Sequence, residues 1–273
     1  MPTLYLVATP IGNLEDITLR ALRILGEVPL IAAEDTRHTR GLLTHYDINT
    51  PLISYHEYSD DGRLDELLDH LASADLALVT DAGTPSISDP GYRIVQAAID
   101  AGVTITPIPG PSAALTALIG SGLPTDAFLF LGFLPKKQKA RQEALTAVAT
   151  LPYTLILYES PRRLLDLLAD IETVMGAERH VVVGRELTKK FEEFWRGPAP
   201  LAQKHFATDT VRGECTLLIA PAPAQDHQWT EADIRHALQT QLNQGIPRKQ
   251  AAATIAKQSG WRKRQIYNLS LDL

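Results

Sequence analysis

Along most of this chain, short apolar runs alternate with polar turns and with apolar residues at helical spacing. Thr3 to Ala8 is β-prone and predicts a first strand. Residues 9–16 follow as a turn-rich loop, and Asp16 stands where it would cap a helix Ile17 to Leu25 ended by Gly26. Leu30 to Ala33 predicts a second strand, running into the very polar stretch 34–40, with a helix expected from Thr39 to His45. After a brief strand near Pro51 to Ser54, leucines at 64, 67, 68 and 71 mark one face of a helix over 60–72. The apolar run Leu76 to Val79 is a buried strand. A helix to Ala101, a strand Val103 to Ile108 and an Ala-rich helix from Ala113 to Ile119, capped by Ser112, complete the first half. Strand–helix alternation of this kind predicts an α/β sheet of buried parallel strands.

Gly120 to Pro124 interrupts the pattern. Strands are then expected at Phe128 to Leu134, Thr154 to Tyr158, His180 to Gly184 and Cys215 to Ala220, with helices over 140–151 and 164–175. Pro221 to Gln228 reads as a linker. Three helical segments follow, Thr230 to Leu242, Arg248 to Gln258 and Arg262 to Leu271. The expected division is therefore an N-terminal α/β domain over 1–120, a second α/β domain over 121–224 and a small helical domain over 225–273. A short turn with Gly260 before a basic last helix resembles a helix-turn-helix, although a packing appendage has the same pattern.

The stretch between Val79 and Tyr92 carries two glycines, two prolines, two aspartates and four hydroxyl side chains. Strand, irregular polar loop, helix is the order in which open α/β sheets build sites at the carboxyl ends of their strands.

Charge changes this picture more than bulk composition does. The 273 residues carry a net −6, yet Gly245 to Leu273 holds six Lys or Arg against one Asp, leaving the rest of the chain near −11. One basic end on an acidic body can guide a nucleic-acid partner. The single cysteine, Cys215, sits in an apolar run and reads as a core residue, and one Cys suits a reducing compartment. No apolar run reaches the roughly 20 residues of a membrane span, and Met1 to Tyr5 has no signal-peptide pattern. A cytoplasmic protein is expected.

Phosphate-loop, dinucleotide-fingerprint and nucleophile-elbow patterns are absent, and no His/Cys spacing suits a metal. Three loops at strand ends remain, 9–16, 81–91 and 109–113. They are rich in Gly, Pro and small residues, as suits an adenosine-like ligand held by backbone groups.

Four blocks in the first half carry a family resemblance. They are Val7 to Leu22, Ala32 to Thr39, Asp81-Ala82-Gly83-Thr84-Pro85 with Asp89-Pro90-Gly91-Tyr92, and Pro109-Gly110-Pro111-Ser112-Ala113. In the second half Gly132 to Pro135, Tyr158-Glu159-Ser160 and Arg185 to Lys189 continue it. In this order they resemble the RsmI family of 16S rRNA (cytidine-2'-O)-methyltransferases, which have the tetrapyrrole-methylase fold. The resemblance covers nearly the whole chain. It implies two α/β domains, S-adenosylmethionine in the cleft between them, commonly a homodimer, and a decoding-centre cytidine of the small ribosomal subunit as acceptor. It places Pro10, Gly12, Asp81, Ala82, Gly83, Thr84, Pro85, Ile87, Ser112 and Ala113 around the cofactor, with Leu134 and its neighbours joining from the second domain.

A ribose 2'-hydroxyl is weakly acidic, so a nearby base or cation would help to remove its proton. The candidates are Glu34, Asp35, Arg37 and His38, then Glu159, then Arg185, Glu186 and Lys189. For RNA contact they are Lys136, Lys137 and the adjoining Lys139 and Arg141, Arg162 and its neighbour Arg163, and Arg262, Lys263 and Arg264 in the tail. Simpler readings stand beside these: Asp35 and Arg37 as a helix cap and its pair, Glu186 and Lys189 as a surface pair.

Overall fold

A computed structural model describes residues 2–56, 59–207, 212–223 and 229–273. Residues 224–228 of the expected linker lie outside the described residues. Two compact units form, Met1–Ala222 and Pro223–Leu273.

The first unit opens with β1 (Thr3–Val7), α1 (Leu19–Glu27), β2 (Ile31–Ala33), α2 (Thr36–His45), β3 (Leu52–Ser54), α3 (Asp61–Leu71), β4 (Leu76–Val79), α4 (Tyr92–Asp100) and β5 (Thr104–Ile108). The five strands make one parallel sheet in the order β3-β2-β4-β1-β5. β2 and β4 are buried along their whole length, as strands covered by helices on both faces must be. Leu25, Ile31 and Leu43 fill one side; Leu67, Leu76 and Ile94 fill the other.

α5 (Ala113–Ser121) follows, then β6 (Phe128–Phe133), α6 (Gln138–Val148), β7 (Thr154–Glu159), α7 (Pro161–Met175), β8 (His180–Arg185), β9 (Glu193–Pro198), α8 (Ala199–Ala207) and β10 (Cys215–Ile219). Ala114, Ala117 and Leu118 of α5 pack with Ile156, Val182 and Leu218, so this helix joins the second sheet although it follows the first in sequence. That sheet has the order β6-β7-β10-β8-β9. Only β6 and β7 run parallel; β10 is antiparallel to both of its neighbours. The expectation of parallel strands therefore holds for the first sheet and not for the second.

Four local expectations are corrected. Thr18, not Asp16, caps α1 through the Ala21 N–H, and a 3-10 turn takes up Leu14–Asp16. Gly26 lies inside α1 rather than ending it. α2 starts at Thr36 on an Asp35 cap, three residues before the expected start. Ser112 occupies the N-cap of α5 but makes no side-chain capping bond. β9 and α8 were not expected. β9 carries Gly197 at φ +154° and ends in Pro198, which only an edge strand accommodates.

In the second unit α9 (Glu231–Asn243), α10 (Arg248–Ser259) and α11 (Lys263–Leu269) close over Ile234, Leu238, Ala251, Ile255 and Ile266. Thr230 and Asp233 form a reciprocal capping box at the start of α9. Arg262, Lys263 and Arg264 are all exposed around the start of α11. No helix among the described residues is long and apolar enough to cross a membrane.

Candidate functional site

Three loops leave the carboxyl ends of β1, β4 and β5 and are tied to one another. Thr9 and Gly83 exchange backbone hydrogen bonds at 2.9 and 3.0 Å. The Thr84 hydroxyl donates to the Pro111 carbonyl at 3.1 Å. Gly83 has φ +85°, and a Cβ there would meet Ile11 Cγ2 at 3.5 Å, so the glycine is required by its backbone conformation rather than by crowding.

These loops and the ends of β6, β7 and β10 enclose a cleft of about 460 Å³. Ile11, Ala82, Gly83, Thr84, Ile87, Ser112 and Ala113 line it from the first half; Phe133, Tyr158, Ser160, Pro161, Cys215 and Thr216 line it from the second. Five carboxylates share the lining: Glu34, Asp81, Asp89, Glu159 and Glu214.

The carboxylates differ in their surroundings. Glu34 accepts from the Asp81 N–H at 3.4 Å, but burial and the neighbouring carboxylates raise its pKa. Asp81 accepts from the Asp35 N–H at 3.0 Å. Glu159 is 2% exposed, accepts from the Ser160 N–H at 2.8 Å and pairs with Arg163 at 3.1 Å. Arg163 also donates to the Leu134 carbonyl at 2.9 Å, pinning the loop after β6. Asp89 has the strongest perturbation: burial, then the charges of Glu34, Asp81 and Glu214, push its carboxyl up to about 7. Burial likewise raises the Tyr158 hydroxyl and pushes the Cys215 thiol up to about 12, which leaves the latter an un-ionised wall.

Several expected site residues lie elsewhere. Pro10 and Arg37 line a second, adjoining cavity. Pro85 and Leu134 are buried, Leu134 in the core of the second sheet while its neighbour Phe133 reaches the cleft. Gly12 packs against Lys189 and Thr188 across the two halves, where a Cβ would have no room. The Asn13 N–H donates to Thr188 Oγ1 at 3.1 Å at the same seam. Asp35 caps α2 and pairs with Arg37 at 2.7 Å, and that guanidinium holds its carboxyl well below the usual range.

Arg185 pairs with Glu193 at 2.9 Å. Lys189 bridges Glu186 at 2.9 Å and Glu214 at 3.0 Å. Burial works against ionisation of Glu186, but Lys189 and the Glu214 N–H outweigh it and lower its pKa. Lys136, Lys137, Lys139 and Arg162 are exposed, close in sequence to cleft residues Phe133, Ser160 and Pro161. Arg141 is not an exposed cation: it is 4% exposed and donates to Asp170 at 2.6 Å.

Sequence reasoning assigned no catalytic role to Asp89, Tyr158, Phe133 or Glu214. Asp89, Phe133 and Tyr158 stand inside the matched blocks, so the signal was present; Glu214 carries none.

The family profile of tetrapyrrole (corrin/porphyrin) methylases matches residues 3–202. A ribosomal RNA small subunit methyltransferase I of Synechocystis is 49% identical over 275 residues, covering 100% of this chain and 99% of the relative. One of Halalkalibacterium halodurans is 47% identical, covering 98% and 94%. Among solved structures, a uroporphyrin-III C-methyl transferase from Thermus thermophilus, complexed with S-adenyl homocysteine, superposes with a TM-score of 0.58 at 19% identity. It covers 80% of this chain and 97% of its own, a likeness of fold. The two sheets, the tied strand-end loops and full-length similarity to named enzymes agree: this chain belongs to the tetrapyrrole methylase family, in the branch of the ribosomal RNA small subunit methyltransferases I.

Proposed function

We propose that this chain transfers a methyl group from S-adenosylmethionine to the ribose 2'-hydroxyl of a decoding-centre cytidine in 16S rRNA. The observation that carries the reading is the acidic cleft, in a chain that aligns end to end with ribosomal RNA small subunit methyltransferases I. When bound, the sulfonium cofactor supplies an electrophilic methyl group. A cleft lined by five carboxylates fits a cationic ligand better than a neutral one of the same shape. Ile11, Ala82, Ala113 and Phe133 give the apolar walls a nucleoside needs, and Gly83 lets the backbone approach it.

Asp89 takes the proton of the acceptor 2'-hydroxyl as that oxygen bonds the methyl carbon and the sulfur–methyl bond breaks, its electron pair staying on the sulfur of the departing S-adenosylhomocysteine. A proton affinity near neutrality is what a general base at physiological pH requires. Tyr158, edge-on to Phe130 and Phe133, closes the wall and excludes water. In this reading Asp35 with Arg37, Arg185 with Glu193, and Glu186 with Lys189 and Glu214 hold the surrounding loops and do not touch the reacting atoms. Lys136, Lys137 and Arg162 bind RNA phosphate from the α/β body, and Arg262, Lys263 and Arg264 do so from the helical unit.

We read residues 1–120, 121–224 and 225–273 as the working parts, acting as a cytoplasmic homodimer. Leu115 and Ile119 of α5, 50% and 79% exposed, offer apolar surface for such an interface. Calorimetry with S-adenosylhomocysteine tests the cofactor assignment. Binding that is lost in Thr84→Tyr, which fills the cleft, supports it. Absence of binding by the unaltered protein contradicts it.

A further inference from the structure

β6 breaks the alternation of a regular strand. Phe130 stands opposite Ile156, Gly132 opposite Leu157 and Phe133 opposite Tyr158, so Leu131 is the extra residue of a bulge. Leu129 and Leu131 pack on one core of the second sheet, while Phe130 packs with Ile156 and Tyr158 on the other face. Strict alternation would send Phe133 to the side of Leu129 and Leu131. The bulge turns it to the side of Phe130 instead, where it lines the cleft, and Leu134 takes the core position.

The turned ring is held in place. Tyr158 lies edge-on to both Phe130 and Phe133, with ring centroids 5.0 and 5.7 Å apart. The Tyr158 hydroxyl accepts from the Ala114 N–H at 3.3 Å. Gly132 has φ +61°, and a Cβ there would meet Ser88 Oγ at 2.9 Å, so the bulge is seated against the loop after β4. Yet Phe133 is 57% exposed and belongs to none of the buried clusters. Among the described residues it is the one exposed aromatic on the cleft lining, whereas Ile11 on the same lining is 8% exposed. Packing within this chain does not account for a large apolar ring that is fixed by its neighbours and left open.

The neighbouring charges indicate what it meets. Lys136 and Lys137 follow in the loop after β6 and are exposed, as is Arg162. Arg163 donates to the Leu134 and Pro135 carbonyls at 2.9 and 3.3 Å, fixing the segment between the ring and the lysines. Three residues span at most about 11 Å, so phosphates flanking a base on this ring come within reach of those amines. An aromatic platform beside cations is the pairing that holds single-stranded nucleic acid, bases on the ring and phosphates on the cations.

We propose that Phe133 is the platform on which the nucleobase of the acceptor nucleotide stacks, turned away from its neighbours in the RNA. The inference rests on the methyl-transfer reading above and assigns this ring to the acceptor rather than to the cofactor. A base on Phe133 with its phosphates on Lys136 and Lys137 sets its ribose at the cleft that Asp89 lines.

Three variants of the full chain test this: Phe133→Ala, Phe133→Leu, which keeps apolar bulk without a flat ring, and Phe133→Tyr, which keeps the ring. Methyl transfer to small ribosomal subunits is measured beside S-adenosylhomocysteine binding and thermal unfolding. The expected kcat/KM is down about 5- to 100-fold in the first two variants and largely recovered in Phe133→Tyr. Cofactor Kd should stay within about twofold, and Tm within about 2 °C, as for an exposed side chain. Unchanged kcat/KM in Phe133→Ala and Phe133→Leu, an equal loss in Phe133→Tyr, or a loss that follows cofactor Kd overturns the platform.

Fluorine NMR separates this proposal from the reading it rests on. With 4-fluorophenylalanine at all 6 phenylalanines, the signal missing from Phe133→Leu belongs to Phe133. At saturating S-adenosylhomocysteine, a short RNA carrying one cytidine between abasic sites should shift that signal, and the same strand without the cytosine base should not. That result supports the platform even if the unaltered protein methylates no rRNA, an outcome that would defeat only the methyl-transfer reading. A Phe133 signal that the RNA leaves unmoved, or that both strands shift alike, overturns it.

Discussion

The backbone N–H of Asp35 donates to Asp81 Oδ1 at 3.0 Å, while the Asp81 N–H faces Glu34 Oε2 at 3.4 Å. The ends of β2 and β4 are thus cross-tied by two carboxylates that also line the cleft. Asp81→Ala removes one tie and a charge at the border of both cavities. Hydrogen bonds to charged groups contribute about 1.5–3 kcal/mol, so kcat/KM should fall roughly ten- to hundredfold. Steady-state methyl-transfer kinetics check this; Asp81→Asn, which keeps an acceptor oxygen, should recover part of the loss.

Asp89 should make both activity and stability depend on pH near neutrality. Its folded-state pKa of about 7 lies above the ordinary carboxylate value, so the folded protein holds a proton that the unfolded chain has released. Stability from this group therefore falls as pH rises from the ordinary carboxylate range through about 7. Asp89→Asn should lower kcat by about 10²-fold or more, remove the acidic limb of the kcat profile and flatten Tm between pH 5 and 8. A profile with an unaltered acidic limb would assign the base elsewhere.

Asp170 is 1% exposed and accepts from Arg141 at 2.6 Å, Gln142 at 2.7 Å and Gln138 at 3.2 Å, joining α6 to α7. Asp170→Ala leaves the Arg141 guanidinium buried without its counter-charge. Loss of one partner of a buried pair destabilises by about 3–5 kcal/mol, measurable by denaturant unfolding. Protein that remains folded should bind S-adenosylhomocysteine as before.

The basic cluster of the helical unit should act on RNA alone. Replacing Arg262, Lys263 and Arg264 with Ala should weaken RNA binding and reduce the log Kd against log salt slope by about 2, since each phosphate contact contributes about 0.7 for a single strand. Cofactor affinity should not change. An unaltered salt slope would leave the helical unit without a role in RNA binding.

Much of the fold was legible because local pattern and burial agree: Leu76–Val79 reads as a buried strand and is one. The three strand-end loops were legible because Gly83, Pro85 and Pro111 declare irregular backbone, and they meet through Thr9–Gly83 and Thr84–Pro111. Local sequence could not show which of two good caps wins at α1, and Thr18 replaces Asp16 there. Nor could it show that Arg141, in a run of lysines, turns inward to an aspartate 29 residues away. Asp89 was missed as a titrating group for the same reason. Glu34, Asp81 and Glu214, whose charges reinforce the effect of burial, come from three separate loops. β9 escaped notice because Gly197 and Pro198 argue against a strand, and only its place at the sheet edge permits one.

The most direct measurement is transfer of labelled methyl from S-adenosylmethionine to small ribosomal subunits that lack this modification, followed by partial alkaline hydrolysis of the 16S rRNA. Alkaline cleavage needs a free 2'-hydroxyl. The expected result is one gap in the cleavage ladder, coincident with the label, at a decoding-centre cytidine. Label on a base with an unbroken ladder, or no label in the RNA despite cofactor binding, would contradict ribose methylation by this chain.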